Sequence, residues 1–121
     1  MENQENNEIL KKYIDIDTAL SRVRGNKTIY KKMLGLFLQS TLFTEFENIL
    51  SQEDYSKASE VAHGIKGMVG NLGMDILFEE STKLMVQMRT GAAPDEQNLK
   101  DYRDALIKTR DYTEQVIEQL S

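Results

Sequence analysis

His63, the single histidine of this 121-residue sequence, is the residue best suited to covalent chemistry. A histidine side chain is largely neutral at pH 7 and then offers a nitrogen lone pair for nucleophilic attack. An imidazole nitrogen bonded to phosphorus forms a high-energy N–P bond, so a phosphoryl group held there can be passed on. The residue type therefore indicates nucleophilic transfer of a phosphoryl group.

The residues that share a helical face with His63 fit this chemistry. Lys66, Gly67 and Gly70 lie three, four and seven positions after it, where helical neighbours meet. Lys66 can offset the charge of about −1.5 to −2 that a phosphoryl group adds. A glycine inside a helix costs about 1 kcal/mol relative to alanine, so Gly64, Gly67 and Gly70 call for a reason. A bare backbone beside the imidazole would let another protein approach it.

A purely structural histidine is the main alternative. The apolar residues of the same helix fall on one narrow stripe, formed by Val61, Ile65, Met68 and Leu72. His63 lies about 160° from Val61 around the helix, which predicts that its side chain faces water. A histidine buried in the core is therefore not expected.

Other interpretations of the glycines and of the site fit the sequence less well. Gly64 points to the flank and could serve close helix packing, whereas packing explains the outward Gly67 and Gly70 poorly. A phosphate-binding P-loop needs a different residue order and a preceding strand. No carboxylate pair, metal-ligand cluster or Ser–His–Asp arrangement can be assembled on this face. We therefore expect a phosphocarrier without independent catalytic turnover, whose partner supplies the transfer machinery.

Hydrophobic periodicity predicts the helices that position His63. They are a short helix capped by Asp17 and long helices over about residues 26–50, 53–72, 75–91 and 94–120. Asn26 is the predicted cap of the second helix, and Gly73 the predicted stop of the helix that carries His63. No segment alternates in the manner of a strand. The expected fold is all-α, an antiparallel four-helix bundle with a short additional N-terminal helix.

Composition limits the functional classes. The length suits one domain, predicted over residues 9–121 after a flexible tail at residues 1–8. A net charge of −5 argues against nucleic-acid binding, and no run approaches the roughly 20 apolar residues of a membrane span. The absence of cysteine fits a reducing compartment. We expect a cytoplasmic protein that does not bind membranes, and a monomer, because four long helices complete a bundle without a second copy.

The sequence around the histidine resembles that of a known family. The segment AHGIKG at residues 62–67, followed by NLG at residues 71–73, is similar to the signature of histidine-containing phosphotransfer (Hpt) domains. That signature is Ala-His-x-Leu-Lys-Gly with Leu-Gly a few residues later. The stretch from Ile14 to Phe37 also resembles the first two helices of the family. The resemblance extends over about residues 13–91.

The resemblance implies a four-helix bundle with an exposed, phosphorylated histidine. Members shuttle phosphoryl groups between response-regulator receiver domains and hybrid sensor histidine kinases. His63 would be phosphorylated on Nε2, Lys66 would steady the phosphate, and Gly67, with Gly70 beside it, would leave room for the receiver. Arg89 is placed like basic residues that approach the phosphate in some members. No cofactor is expected in this chain, because the receiver supplies the aspartate and a magnesium ion.

The sequence alone leaves three alternatives open. A bundle that binds receiver or kinase domains without accepting phosphate is the alternative function. A histidine-kinase dimerisation domain fits less well, because an acidic residue would follow the histidine closely and Gly64 stands there. Ile14 and Ile16 belong either to an apolar patch near His63 or to the packed end of the bundle.

Overall fold

The computed structural model describes residues 2–121, and for residues 2–7 the backbone alone. This part of the chain contains seven helices and no strand. They are α1 (Glu2–Tyr13), α2 (Ile16–Arg22), α3 (Lys27–Gln39), α4 (Leu42–Ser51), α5 (Tyr55–Asn71), α6 (Asp75–Met88) and α7 (Glu96–Leu120). The all-α prediction is confirmed.

Five of the helices pack on one another in a helical bundle. Helix α5 packs between α4 and α6, α6 also packs on α7, and α7 packs on α3. Helices α3 and α4 are consecutive in the chain, and they contact α7 and α5, respectively. The antiparallel four-helix arrangement stays a prediction. The connections from α4 to α5 and from α5 to α6 are short, which favours antiparallel neighbours.

Large aromatic side chains fill the centre of this bundle. Tyr30, Phe37, Phe46 and Tyr102 are essentially inaccessible to solvent. The rings of Phe46 and Tyr102 meet edge to face, with their centroids 5.3 Å apart, and so join α4 to α7. The apolar faces of the helices thus meet in one core.

The predicted helix over residues 26–50 is divided in two, and this part of the prediction is wrong. Asn26 caps α3 as predicted, because its side-chain oxygen accepts a hydrogen bond from the Ile29 amide at 3.0 Å. Ser40 then adopts an extended backbone, and its hydroxyl oxygen accepts from the Leu42 amide at 3.2 Å. Serine side chains compete in this way for backbone groups, so Ser40 and Thr41 interrupt the helix.

The start of α2 also differs from the prediction. Asp15 caps this helix, because its carboxylate accepts from the Thr18 amide at 3.2 Å and from the Thr18 hydroxyl at 2.8 Å. Asp17 instead lies in the first turn. The two hydrogen bonds from Thr18 lower the pKa of Asp15 below its usual value.

Helix α1 (Glu2–Tyr13) precedes α2 and packs on α6 and α7. Residues 2–8 are helical, Met1 lies outside the described residues, and the flexible tail over residues 1–8 stays a prediction. The domain boundary at residue 9 stays a prediction.

Ile14 settles one of the open alternatives. It is fully buried, while Ile16 is half-buried. Between them, the Asp15 amide donates to the Gly73 carbonyl oxygen at 2.7 Å. Ile14 therefore belongs to the packed end of the bundle and not to an exposed patch.

The other helix ends are close to their predicted positions. Helix α6 ends at Met88, three residues before Gly91, and α7 begins at Glu96 behind the capping Asp95, so Pro94 precedes the first turn. Within the described range, no helix combines the length and apolar character that crossing a membrane requires.

Candidate functional site

Helix α5 carries the candidate site and has defined ends. Asp54 caps its first turn by accepting from the Lys57 amide at 3.3 Å. Gly73 follows its last turn with φ of +74°, a left-handed conformation that favours glycine, and the predicted stop is confirmed. His63 lies near the middle of the helix, away from both ends.

The buried face of α5 is turned slightly from the predicted stripe. Its buried side chains are Ala58, Ser59, Ala62, Ile65 and Val69. Val61 and Met68, which the apolar periodicity placed in the stripe, are only half-buried. The small side chains near the start of α5 allow a close approach of α6, and the Ser59 hydroxyl donates to the Met85 carbonyl oxygen at 2.7 Å.

His63 is solvent-exposed, as the sequence predicted. Its side chain lines a shallow depression between α5 and α6. The other residues of this depression are Ser59, Glu60, Lys66, Met85 and Arg89. The structure therefore brings Lys66 and Arg89 to the same surface as the imidazole, so a group bound to His63 would have cations beside it.

A second depression adjoins the first and shares Lys66 with it. It is lined by Arg22, Lys66, Gly67, Gly70, Asn71, Asp75 and Phe78. The Lys66 ammonium lies over the ring of Phe78, with Nζ 5.7 Å from the ring centroid, which is within the range of a cation–π interaction. Lys66 is thus within the reach of either depression.

The glycines of α5 have different surroundings. A Cβ built on Gly67 would have no neighbour within 4 Å, so open space adjoins the backbone there. A Cβ on Gly70 would lie 3.0 Å from Cδ2 of Phe78, whereas a Cβ on Gly64 would make an ordinary contact of 3.9 Å with Leu42. Packing against Phe78 therefore accounts for Gly70, and the contact with Leu42 does not require a glycine at position 64. The helical spacing had indicated the reverse, and the role of Gly70 in partner approach stays a prediction. Gly67 alone faces open space as predicted.

Phe78 and Arg22 also lie at the site, although the sequence did not predict them there. Gly70 lies four residues before Met74 in the short α5–α6 turn, and Phe78 lies four residues after it. Residues at equal distances from a tight turn between two helices can face each other, and this spacing could have predicted the contact. The Arg22 guanidinium donates to the Gly70 carbonyl oxygen at 2.5 Å, near the end of α5. Nothing local in the sequence indicates that bond, because 48 positions separate its partners.

Acidic residues lie at the margin of the site. Desolvation, followed by the negative charges of Asp15 and Glu79, raises the pKa of Asp75 above its usual value. Across the described residues, no group of three or more His, Cys, Asp or Glu side chains is arranged to hold a metal ion.

A protein-family profile, and no individual protein, provides the match to this chain. Neither a curated protein nor a solved structure matches the chain. A family profile described as Hpt domain matches residues 32–120. That range is well over half of the chain and contains all of α5 with His63. The chain therefore belongs to the Hpt domain family, whose members serve histidine phosphotransfer in two-component signalling.

Proposed function

We propose that this chain is a phosphorelay intermediate that accepts a phosphoryl group on His63 and passes it to a second receiver domain. The observation that carries the proposal is the exposed imidazole of His63, with Lys66 and Arg89 in the same depression and open space beside Gly67. Nucleophile, countercharge and access for a partner are thus adjacent on one helix face.

The chemistry is a transfer between two side chains. The lone pair of the His63 Nε2 attacks the phosphorus of a receiver aspartyl phosphate, a P–N bond forms, and the P–O bond to the aspartate breaks. The aspartate leaves as a free carboxylate, and the proton on Nδ1 stays with the imidazole. The reverse sequence on another receiver returns the imidazole to its neutral form.

The receiver domain supplies the remaining groups in this proposal. Phosphoryl transfer depends chiefly on positioning and on neutralising charge, so the magnesium ion of a receiver and the cations of this chain act together. Lys66 and Arg89 offset the charge on the phosphoryl oxygens, and Gly67 admits the receiver surface. In this proposal the chain needs no cofactor of its own and does not catalyse phosphoryl transfer by itself. Members of the Hpt domain family are phosphocarriers, which supports this part of the proposal.

A labelling profile tests the proposal. Each receiver domain of the host is phosphorylated with radioactive phosphate and mixed with the wild-type chain or with the His63→Gln variant. We expect at least one receiver to label the wild type within minutes and none to label the variant, whose folding is checked by circular dichroism.

Two outcomes would overturn the proposal. Stable binding of a phosphorylated receiver without transfer of label would favour the adaptor function. Equal labelling of the His63→Gln variant would place the phosphoryl group on another residue.

A further inference from the structure

Lys66 lines two depressions, and each contains a possible binding partner for its ammonium. It lines the depression of His63 and Arg89 and also the depression that contains Phe78. In the unphosphorylated chain its ammonium lies over the Phe78 ring, 5.7 Å from the centroid. The positive charge is therefore bound to an aromatic face before any phosphoryl group is present.

The ring lies farther along the helix than the histidine. Phe78 packs directly against Gly70, where an added Cβ would be 3.0 Å from the ring. Gly70 is seven residues after His63, which corresponds to about 10 Å along a helix axis. Because Lys66 is three residues after His63 and four residues before Gly70, an ammonium held at the ring is drawn toward the C-terminal end of α5.

We infer that Phe78 is a positioning residue that holds Lys66 in a resting orientation away from His63, from which a phosphoryl group withdraws it. The resting contact follows from the geometry, and its release on phosphorylation rests on the proposed function. Gly70 makes the resting contact possible, because it has no side chain in the space that the Phe78 ring occupies. Lys66 then points to the ring when His63 is unphosphorylated and to the phosphoryl group when His63 is phosphorylated.

The resting contact has a consequence for the phosphotransfer equilibrium. A cation–π interaction at a partly exposed site corresponds to about a two- to fivefold change in an equilibrium constant. Because that interaction is lost when Lys66 turns to the phosphoryl group, it favours the unphosphorylated chain. Removing the ring should therefore raise the equilibrium fraction of phosphorylated chain by up to that factor.

Two other charged side chains line the same depression as Phe78. Arg22 donates to the Gly70 carbonyl oxygen and, being a cation, cannot attract Lys66. Asp75 is an acid and could attract it, but no ion pair links the two residues within the described structure. The Asp75→Asn variant is accordingly the control that separates the carboxylate from the ring.

Nuclear magnetic resonance of the unphosphorylated chain tests the resting contact. Protons above an aromatic face are shifted upfield, so we expect upfield ε-methylene protons of Lys66 in the wild type, Phe78→Tyr and Asp75→Asn. The shift should vanish in Phe78→Leu. An unshifted wild type, or a Phe78→Leu variant identical to it, would overturn the inference.

Release of the lysine is tested by a fixed negative charge and by phosphorylation. In the His63→Glu variant, and in chain labelled with phosphoramidate, the upfield shift should decrease. With a receiver as donor, the phosphotransfer equilibrium constant should shift about two- to fivefold toward the phosphorylated chain in Phe78→Leu, and Phe78→Tyr should match the wild type. An upfield shift that persists in His63→Glu overturns the inference, whether or not a receiver labels the chain. If no receiver labels the chain, that result alone counts against the proposed function and not against the inference.

Discussion

At the scale of the residue, His63 has neighbours that supply charge and space. No side chain of the described residues is hydrogen-bonded to its imidazole, and Lys66 and Arg89 line the same depression. An imidazole without a fixed partner can rotate, so a docked receiver would set its final orientation. The chain thus provides a nucleophile and countercharges, and alignment would come from the complex.

Gly67 and Gly70 form a matched pair for testing how much space adjoins the backbone of α5. Alanine at position 67 meets no atom, so Gly67→Ala should raise the free energy of unfolding by about 1 kcal/mol through helix propensity. Gly70→Ala should raise the free energy of unfolding by less, because the added methyl group would lie 3.0 Å from the Phe78 ring and the ring must move. Urea denaturation of both variants measures the difference.

A longer side chain at position 67 tests access directly. Gly67→Gln should fold as stably as Gly67→Ala but slow phosphotransfer from a receiver by roughly tenfold or more, because the docked surfaces are displaced. The transfer rate is measured with radiolabelled receiver at equal protein concentrations. Unchanged transfer in Gly67→Gln would show that the receiver does not approach over this backbone.

At the scale of the element, α2 depends on one carboxylate cap. Asp15→Ala should lower the free energy of unfolding at pH 7 by about 1 kcal/mol, because the Thr18 amide loses its acceptor. The Thr18 hydrogen bonds lower the pKa of Asp15 in the folded chain, so its contribution is complete above the unfolded pKa. It is lost as the pH falls through the lower, folded pKa.

Denaturation series from pH 7 down to pH 3 measure this dependence, with Asp17→Ala as the matched control. Asp17 lies in the same helix but accepts no capping hydrogen bond. Its removal should change stability less than removal of Asp15 at neutral pH. An equal effect of the two variants, or an Asp15→Ala effect that is constant with pH, would contradict the assignment of the cap.

Helix ends were predictable where a single residue type determines them. Asn26 and Gly73 were identified correctly, because an amide side chain caps a first turn and glycine accepts a left-handed backbone. The choice between Asp15 and Asp17 was not decidable from composition, since both are good caps two residues apart. The break at Ser40 was missed because apolar spacing continues across it and outweighed the local preference of serine.

At the scale of the whole molecule, the α5–α6 turn joins the N-terminal helices to the bundle. The Asp15 amide donates to the Gly73 carbonyl oxygen at 2.7 Å, and Ile14 is buried beside this contact. Two features require glycine at position 73. Its φ is +74°, and an added Cβ would lie 2.5 Å from the Asp15 carbonyl oxygen. The turn that ends the histidine helix is therefore also the attachment point of α2.

Gly73→Ala should consequently destabilise the chain strongly. We expect a loss of about 3 kcal/mol, from left-handed strain and from displacement of the Asp15 backbone. Gly25→Ala is the control, because Gly25 has φ of +73° but no atom within 4 Å of an added Cβ. It should lose only about 1 kcal/mol. If the two variants lost equal stability in thermal or urea unfolding, the contact between Gly73 and the backbone at the start of α2 would contribute nothing to the effect of Gly73→Ala.

Contacts across the bundle set the limit of prediction from sequence. The bundle class and the exposure of His63 followed from periodicity within single helices. The role of Gly70 did not, because it depends on where the ring of Phe78 falls on the neighbouring helix. The bond between Arg22 and Gly70 likewise depends on how α2 folds over the end of α5.

Passage of label through the chain tests the central claim most directly. Wild-type chain labelled by one phosphorylated receiver is purified and mixed with a second, unphosphorylated receiver, and the radioactivity of each protein is followed over time. We predict an acid-labile label on the chain that moves to the second receiver, and no label on His63→Gln. Label that survives acid, or that reaches the second receiver equally well through His63→Gln, would contradict the account.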